Sequence, residues 1–170
     1  MDPFSMLFDA FWEMAEASVP LMELVKEGNR IKFNTSDRDP IKSEIAAADL
    51  PELVLSTEGS TEVNLHRTSC STSIQRQYSW IIATGDKRVK AYLYPVEFAL
   101  MCAMANWKNT IGALTWQGQD FVKSAQLIGV TEGQSDPNAN RGIMGWSTIW
   151  RCQVDMHFTT ASLLAYNNGE

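Results

Sequence analysis

The first stretch of the chain alternates between apolar and polar positions with a period of three to four. Phe4, Leu7, Phe8, Phe11, Trp12, Ala15, Val19 and Met22 trace a single stripe, which predicts an amphipathic helix. Asp2 is placed to accept hydrogen bonds from the free first-turn amides, and Pro3 suits the first helical position. Pro20 lacks an amide donor and crowds the preceding turn, so the helix is expected to break there, with Ser18 restarting it. Gly28 and Asn29 end the segment.

The period then shortens to two. "LPELVLSTEG" (50–59), "TEVNLHRTS" (61–69) and "SIQRQYSWIIATGD" (73–86) read as strands; in the last, Ile74, Arg76, Tyr78, Trp80 and Ile82 alternate with Gln75, Gln77, Ser79 and Ile81. Before them, residues 34–49 mix turn formers with charge and predict a surface connection holding at most a short helix from Pro40 to Ala48. From Pro95 the helical period returns through Val96, Ala99, Leu100, Ala103, Met104, Trp107, Ile111 and Leu114. "DFVKSAQLIGVTEG" (120–133) and "GWSTIWRCQVDMHF" (145–158) then form a predicted antiparallel hairpin across a polar loop from Glu132 to Met144. In its closing strand Trp146, Thr148, Trp150, Cys152, Val154, Met156 and Phe158 share one face, and Ser147, Arg151, Gln153, Asp155 and His157 share the other. This order predicts one α+β domain over residues 1–170: a mostly antiparallel sheet, an N-terminal and a central helix packed on it, and a terminal β-hairpin.

Charge and composition narrow the function classes. The net charge of −6 supplies no global source of phosphate neutralisation, which argues against nucleic-acid binding. No apolar run approaches the ~20 residues that cross a bilayer, so no membrane partner is expected. Acidic residues from Asp2 to Glu16 stand where a leader peptide would carry a basic stretch, and we expect the mature chain to start near Met1. Cys70, Cys102 and Cys152 are odd in number and widely spaced, which predicts reduced thiols.

The search for reactive groups returns little. His66 and His157 have no second ligand at zinc spacing, so neither a metal nor a cofactor is expected. Asp37 and Asp39 lack a cation-binding loop around them, no phosphate-binding loop is present, and Lys87, Arg88 and Lys90 read as a turn cap. Asp155 and His157 point the same way along a strand and are a candidate proton-transfer pair, but no nucleophile context accompanies them; we expect a polar sheet face and no catalytic residues. The six tryptophans suit a core first. Aromatic anchors are also enriched at subunit boundaries, and Trp12 is our candidate for such a contact.

Taken together, "DLPELVLSTEG", "RQYSWIIATGD", a helix, "LTWQGQDFVKSAQLIGV", a polar loop and "RGIMGWSTIWRCQVDMHF" resemble the tail terminator, or tail completion, proteins of the neck of tailed bacteriophages. The resemblance covers roughly residues 4 to 160 and lies in element order and local character. It implies a structural virion protein, assembled in the host cytoplasm and without a catalytic centre. Six copies would form a ring at the head-proximal end of the tail tube, end tube polymerisation and join the tail to the head connector or head-closure protein. Genomic DNA would pass through the lumen without specific binding. Ring closure needs complementary flanks, and the expected contacts are Trp12 with Asp136, Asn138, Asn140 and Arg141 of the polar loop. Two alternatives stand beside this: another neck or tube component, and a small hydrolase or ligand-binding protein using Asp155 and His157.

Overall fold

A computed structural model describes residues 1–32, 51–56, 61–65, 71–84, 89–135 and 145–169. It has the expected α+β architecture, with helices and a mostly antiparallel sheet. The predicted connection at 34–49 lies outside the described residues.

Helix α1 (Pro3–Glu16) starts as its sequence requires: the Asp2 carboxylate accepts from the amides of Phe4 and Ser5, at 3.0 and 2.9 Å, with Pro3 in the first turn. It stops at Ala17, and α2 (Val19–Leu24) restarts with Pro20 in its first turn, the break that the proline imposes. Ser18 occupies the cap position of α2, although its side chain makes no capping bond. The far end of α2 is closed by Arg30, whose guanidinium donates to the carbonyl oxygens of Met22 and Val25.

Arg30 also opens β1 (Arg30–Lys32), a short strand the sequence reading missed, which runs parallel to β2 (Glu52–Ser56). Of the strand predicted over 50–59, β2 is the described part, and residues 50 and 57–59 lie outside the described residues. Strands β2 and β3 (Thr61–Leu65) lie end to end along one side of β4 (Ser71–Thr84), β2 against residues 79–83 and β3 against residues 72–76. The other side of β4 pairs along its whole length with β8 (Gly145–Thr159), and β8 pairs in turn with β7 (Val122–Ser135). Among the described residues the sheet order is β1-β2-β4-β8-β7, which leaves β7 as an edge. The β7/β8 ladder continues to Ser135 opposite Gly145, so the first residues of the predicted polar loop belong to a strand.

The central helix differs most from expectation. Helix α3 runs from Val89 to Met104, with Pro95 inside it, and the remainder of the predicted stripe forms two 3-10 turns at Trp107–Asn109 and Ile111–Ala113. Pro95 marks the expected start, but a proline forfeits only one donor and clashes with one carbonyl; buried Leu93, Val96, Ala99 and Leu100 on either side hold the helix through it. Two further elements were missed. A small hairpin joins β5 (Thr115–Trp116) to β6 (Gln119–Asp120) through Gln117 and Gly118, both with positive φ (49° and 70°), the backbone that a two-residue hairpin turn demands. Helix α4 (Thr160–Asn167) follows β8, capped by the Thr159 hydroxyl, which accepts from the Ser162 amide.

One face of the sheet carries the core. Tyr78, Trp80 and Ile82 of β4 and Trp150, Cys152, Val154, Met156 and Phe158 of β8 are buried, in the strict alternation read from the sequence. Helix α1 packs over β4: Phe11 lies 4.8 Å from Tyr78, Trp12 stacks on Trp80 at 6.1 Å, and the Arg76 guanidinium sits 4.7 Å above Phe4. Helix α3 lies over β8, where the Trp150 indole donates to Glu97 and the Cys152 sulfur lies 3.4 Å from that of Met104. Phe158, Phe121 and Trp116 close the opposite end, with Tyr166 of α4 against Trp116.

Candidate functional site

Two surfaces invite a functional reading. The first is the sheet face opposite α1 and α3, where the candidate pair Asp155 and His157 stands two positions apart on β8. A shallow depression of about 370 Å³ is lined there by Ser73, Ile74, Gln75, Lys123, Asp155, Met156 and His157. Both carboxylate oxygens of Asp155 are engaged, one by the Ser124 hydroxyl in a short hydrogen bond and the other by the Gln153 amide at 3.2 Å. Among the described residues no hydrogen bond or ion pair joins Asp155 to His157. Opposite His157 stands Ser73, and opposite Asp155 stands Gln75. Without a carboxylate aligning the imidazole, and without a hydroxyl bonded to it, the group lacks the linked base and nucleophile of acyl-transfer chemistry. Among the described residues no group of three metal-ligating side chains converges, there or elsewhere.

The buried thiol is also silent. Burial pushes the Cys152 sulfur up to about 12, far above a reactive thiol, whereas Cys102 on α3 is exposed. Cys70 lies outside the described residues, as does His66.

The second surface is apolar. Five of the six tryptophans have described side chains: Trp80, Trp116 and Trp150 are buried, and Trp12 and Trp107 are half-buried, so the tryptophan richness goes mainly into the core. Trp12 in particular donates its indole proton to Glu16 at 2.7 Å while stacked on Trp80. Asp136, Asn138, Asn140 and Arg141 lie outside the described residues. Among the described residues, large apolar side chains left in solvent include Val19 and Leu24 of α2 and Leu163, Leu164 and Tyr166 of α4, and six that fall on two neighbouring elements: Tyr94, Phe98 and Met101 of α3, and Leu127, Ile128 and Val130 of β7.

Geometry joins these two groups. Glu97 and Met104 lie on the flank of α3 that overhangs β8, above Trp150 and Cys152. At 100° per residue, Met101, Tyr94 and then Phe98 follow outward on that same flank. Val130 pairs with Trp150 and Leu127 with Cys152, so both stand on the helix-bearing face one strand further out. The outcome is an apolar shelf along the outer side of α3, floored by β7 and ending at that strand's free edge. Phe98 is 64% exposed and Leu127 43%, values far from those of a finished core. Sequence periodicity could not find this shelf, because Leu127 and Val130 sit at inward positions and only the width of the helical layer leaves them bare.

Comparison of the chain with protein-family models and with curated proteins found no match.

Proposed function

We propose that the chain is a non-enzymatic assembly protein of a tailed bacteriophage: a tail terminator whose copies form a ring, capping the tail tube at its head-proximal end and joining it to the head connector or head-closure protein. The observation that carries the reading is the apolar shelf of Tyr94, Phe98, Met101, Leu127 and Val130 beside the open β7 edge. Exposed apolar surface of this kind, next to unpaired strand amides and carbonyls, is what a protein partner covers. The net charge of −6 suits a ring through which DNA slides without adhering. The engaged Asp155 carboxylate weighs against the alternative of a hydrolase or ligand-binding protein.

The experiment is genetic and visual. Silencing the gene during infection should give free heads and tails of uncontrolled length, and a tagged copy should appear by electron microscopy at the junction of head and tail. Normal particles made without the protein, or a tag located elsewhere, would refute the role.

A further inference from the structure

A ring closes head to tail, through an edge that fits a different flank; the β7 edge also fits itself. Strand β7 carries two irregularities, between Val122 and Ser124 and between Leu127 and Gly129. The second inserts Ile128 as an extra residue and shifts the inside-outside alternation beyond it. The two halves of the strand therefore become mirror images in facing. Ser124 and Thr131 stand opposite Asp155 and Ile149 on the outer face; Ala125 and Val130 stand opposite Val154 and Trp150 on the inner face; Gln126 and Gly129 stand opposite Gln153 and Arg151 on the outer face. An antiparallel pairing of β7 with a second β7 about a twofold axis at the bulge matches 124 with 131, 125 with 130 and 126 with 129. Every pair shares a face. In a bulge-free strand the same register would set inner residues against outer ones.

Leu127 and Ile128 fall at the centre, where the two shelves meet. The five side chains of the shelf, with Ile128 at the bulge, offer on the order of 500 Å² per copy, at ~150–250 Å² for each aromatic ring. A standard interface takes roughly 800 Å² per partner, so the shelf supplies its apolar centre and the paired strands the remainder.

We propose that the free chain is a twofold dimer joined β7 to β7 in this register, with the apolar shelves of both copies covered. The dimer does not depend on the ring; if the chain does cap a tail, this pairing shields the edge until assembly replaces it.

The test uses the purified full chain. Light scattering over a concentration series should give the mass of two copies. The double substitution Gln126→Cys with Gly129→Cys, made with Cys70→Ser and Cys102→Ser, should yield a reducible covalent dimer on mild oxidation. Gly129 has open space around an added Cβ, so the change is tolerated. Within one extended strand the two positions are ~10 Å apart, beyond the ~7 Å a disulfide spans, so the bond must form between copies. Ser124→Cys with Gly129→Cys, in the same background, should cross-link at least tenfold more slowly. Leu127→Lys with Val130→Lys should raise the dimer dissociation constant at least tenfold, with unchanged circular dichroism. A monomer at millimolar concentration, or equal cross-linking by both cysteine pairs, would overturn the proposal. Particle localisation is read separately, so failure of the dimer is distinguishable from failure of the tail-capping role.

Discussion

The indole nitrogen of Trp150 donates to a carboxylate oxygen of Glu97 at 3.2 Å, linking the closing strand to the central helix across the core. Trp150 is buried, so losing its acceptor strands a donor away from water. Glu97→Ala should destabilise the chain by about 1–2 kcal/mol, and Glu97→Gln, which retains a side-chain acceptor, by less. Urea denaturation of the two variants checks this, and equal losses would mean that the bond contributes nothing specific.

Asp2 ties the first turn of α1. The Ser5 hydroxyl, followed by the Ser5 and Phe4 amides, holds its carboxyl below the ordinary 3.8, so the bound form is the charged one. This stabilisation is fully present above pH 3.8 and is lost as pH falls through the lower folded value. Asp2→Ala should cost about 1 kcal/mol at pH 7, and the gap to the parent chain should narrow below pH 4. Chemical denaturation at pH 7 and pH 3 measures both.

The Tyr78 hydroxyl is buried with no hydrogen-bond partner among the described residues, and burial pushes it up to about 12 from 10.0. The unfolded chain loses this proton first. Stability contributed by the protonated phenol is therefore full below pH 10 and declines as pH rises toward 12. Tyr78→Phe keeps the ring against Phe11 and removes the unsatisfied hydroxyl. It should leave stability unchanged or raise it by up to about 1 kcal/mol at pH 7, and should flatten the alkaline decline, as followed by thermal melts between pH 8 and 11. A loss of 2 kcal/mol at pH 7 would show that the hydroxyl has a partner after all.

Thiol labelling should separate Cys102 from Cys152. Cys102 is exposed and should react within minutes, whereas Cys152, buried beneath Met104, should wait for unfolding. In a Cys70→Ser, Cys102→Ser variant, the labelling rate should follow denaturant concentration as global unfolding does. Mass spectrometry of quenched samples gives the rate.

His157→Ala should leave melting temperature and self-association unchanged, because the imidazole lies on the polar sheet face. Asp155→Ala removes the acceptor for Ser124 and Gln153 and should cost roughly 1 kcal/mol. Loss of a measured hydrolytic turnover in either variant would reverse our reading of this face.

The long, strongly patterned elements were legible in the sequence. The stripe of α1, the break at Pro20 and the two-faced β4 and β8 follow from local period alone, because one face of each meets a core. Strand β1 was not legible: three residues carry no period, and its pairing with β2 is decided by Arg30 closing α2. The start of α3 was hidden by Pro95, whose local cost tertiary packing outweighs. Gly118 was the available signal for the β5/β6 turn, since the left-handed backbone there favours glycine. As for the candidate site, the period of β8 alone sets Asp155 and His157 on the face opposite the buried Val154 and Met156, but the apolar shelf depends on how far the helices reach over the sheet, which no pattern within one element encodes.

The long β4/β8 ladder has a consequence for biosynthesis. Its two strands are separated in the chain by α3, two turns, a small hairpin and β7. A polypeptide emerging from the ribosome can therefore coil α1 and α3 early, yet Tyr78 and Trp80 wait for their β8 partners, Cys152 and Trp150, until that strand has been made. Folding should be slow for a protein of this size and limited by that late closure. Meanwhile the edge of β4 that β8 will cover stays open, a surface that chaperones would recognise.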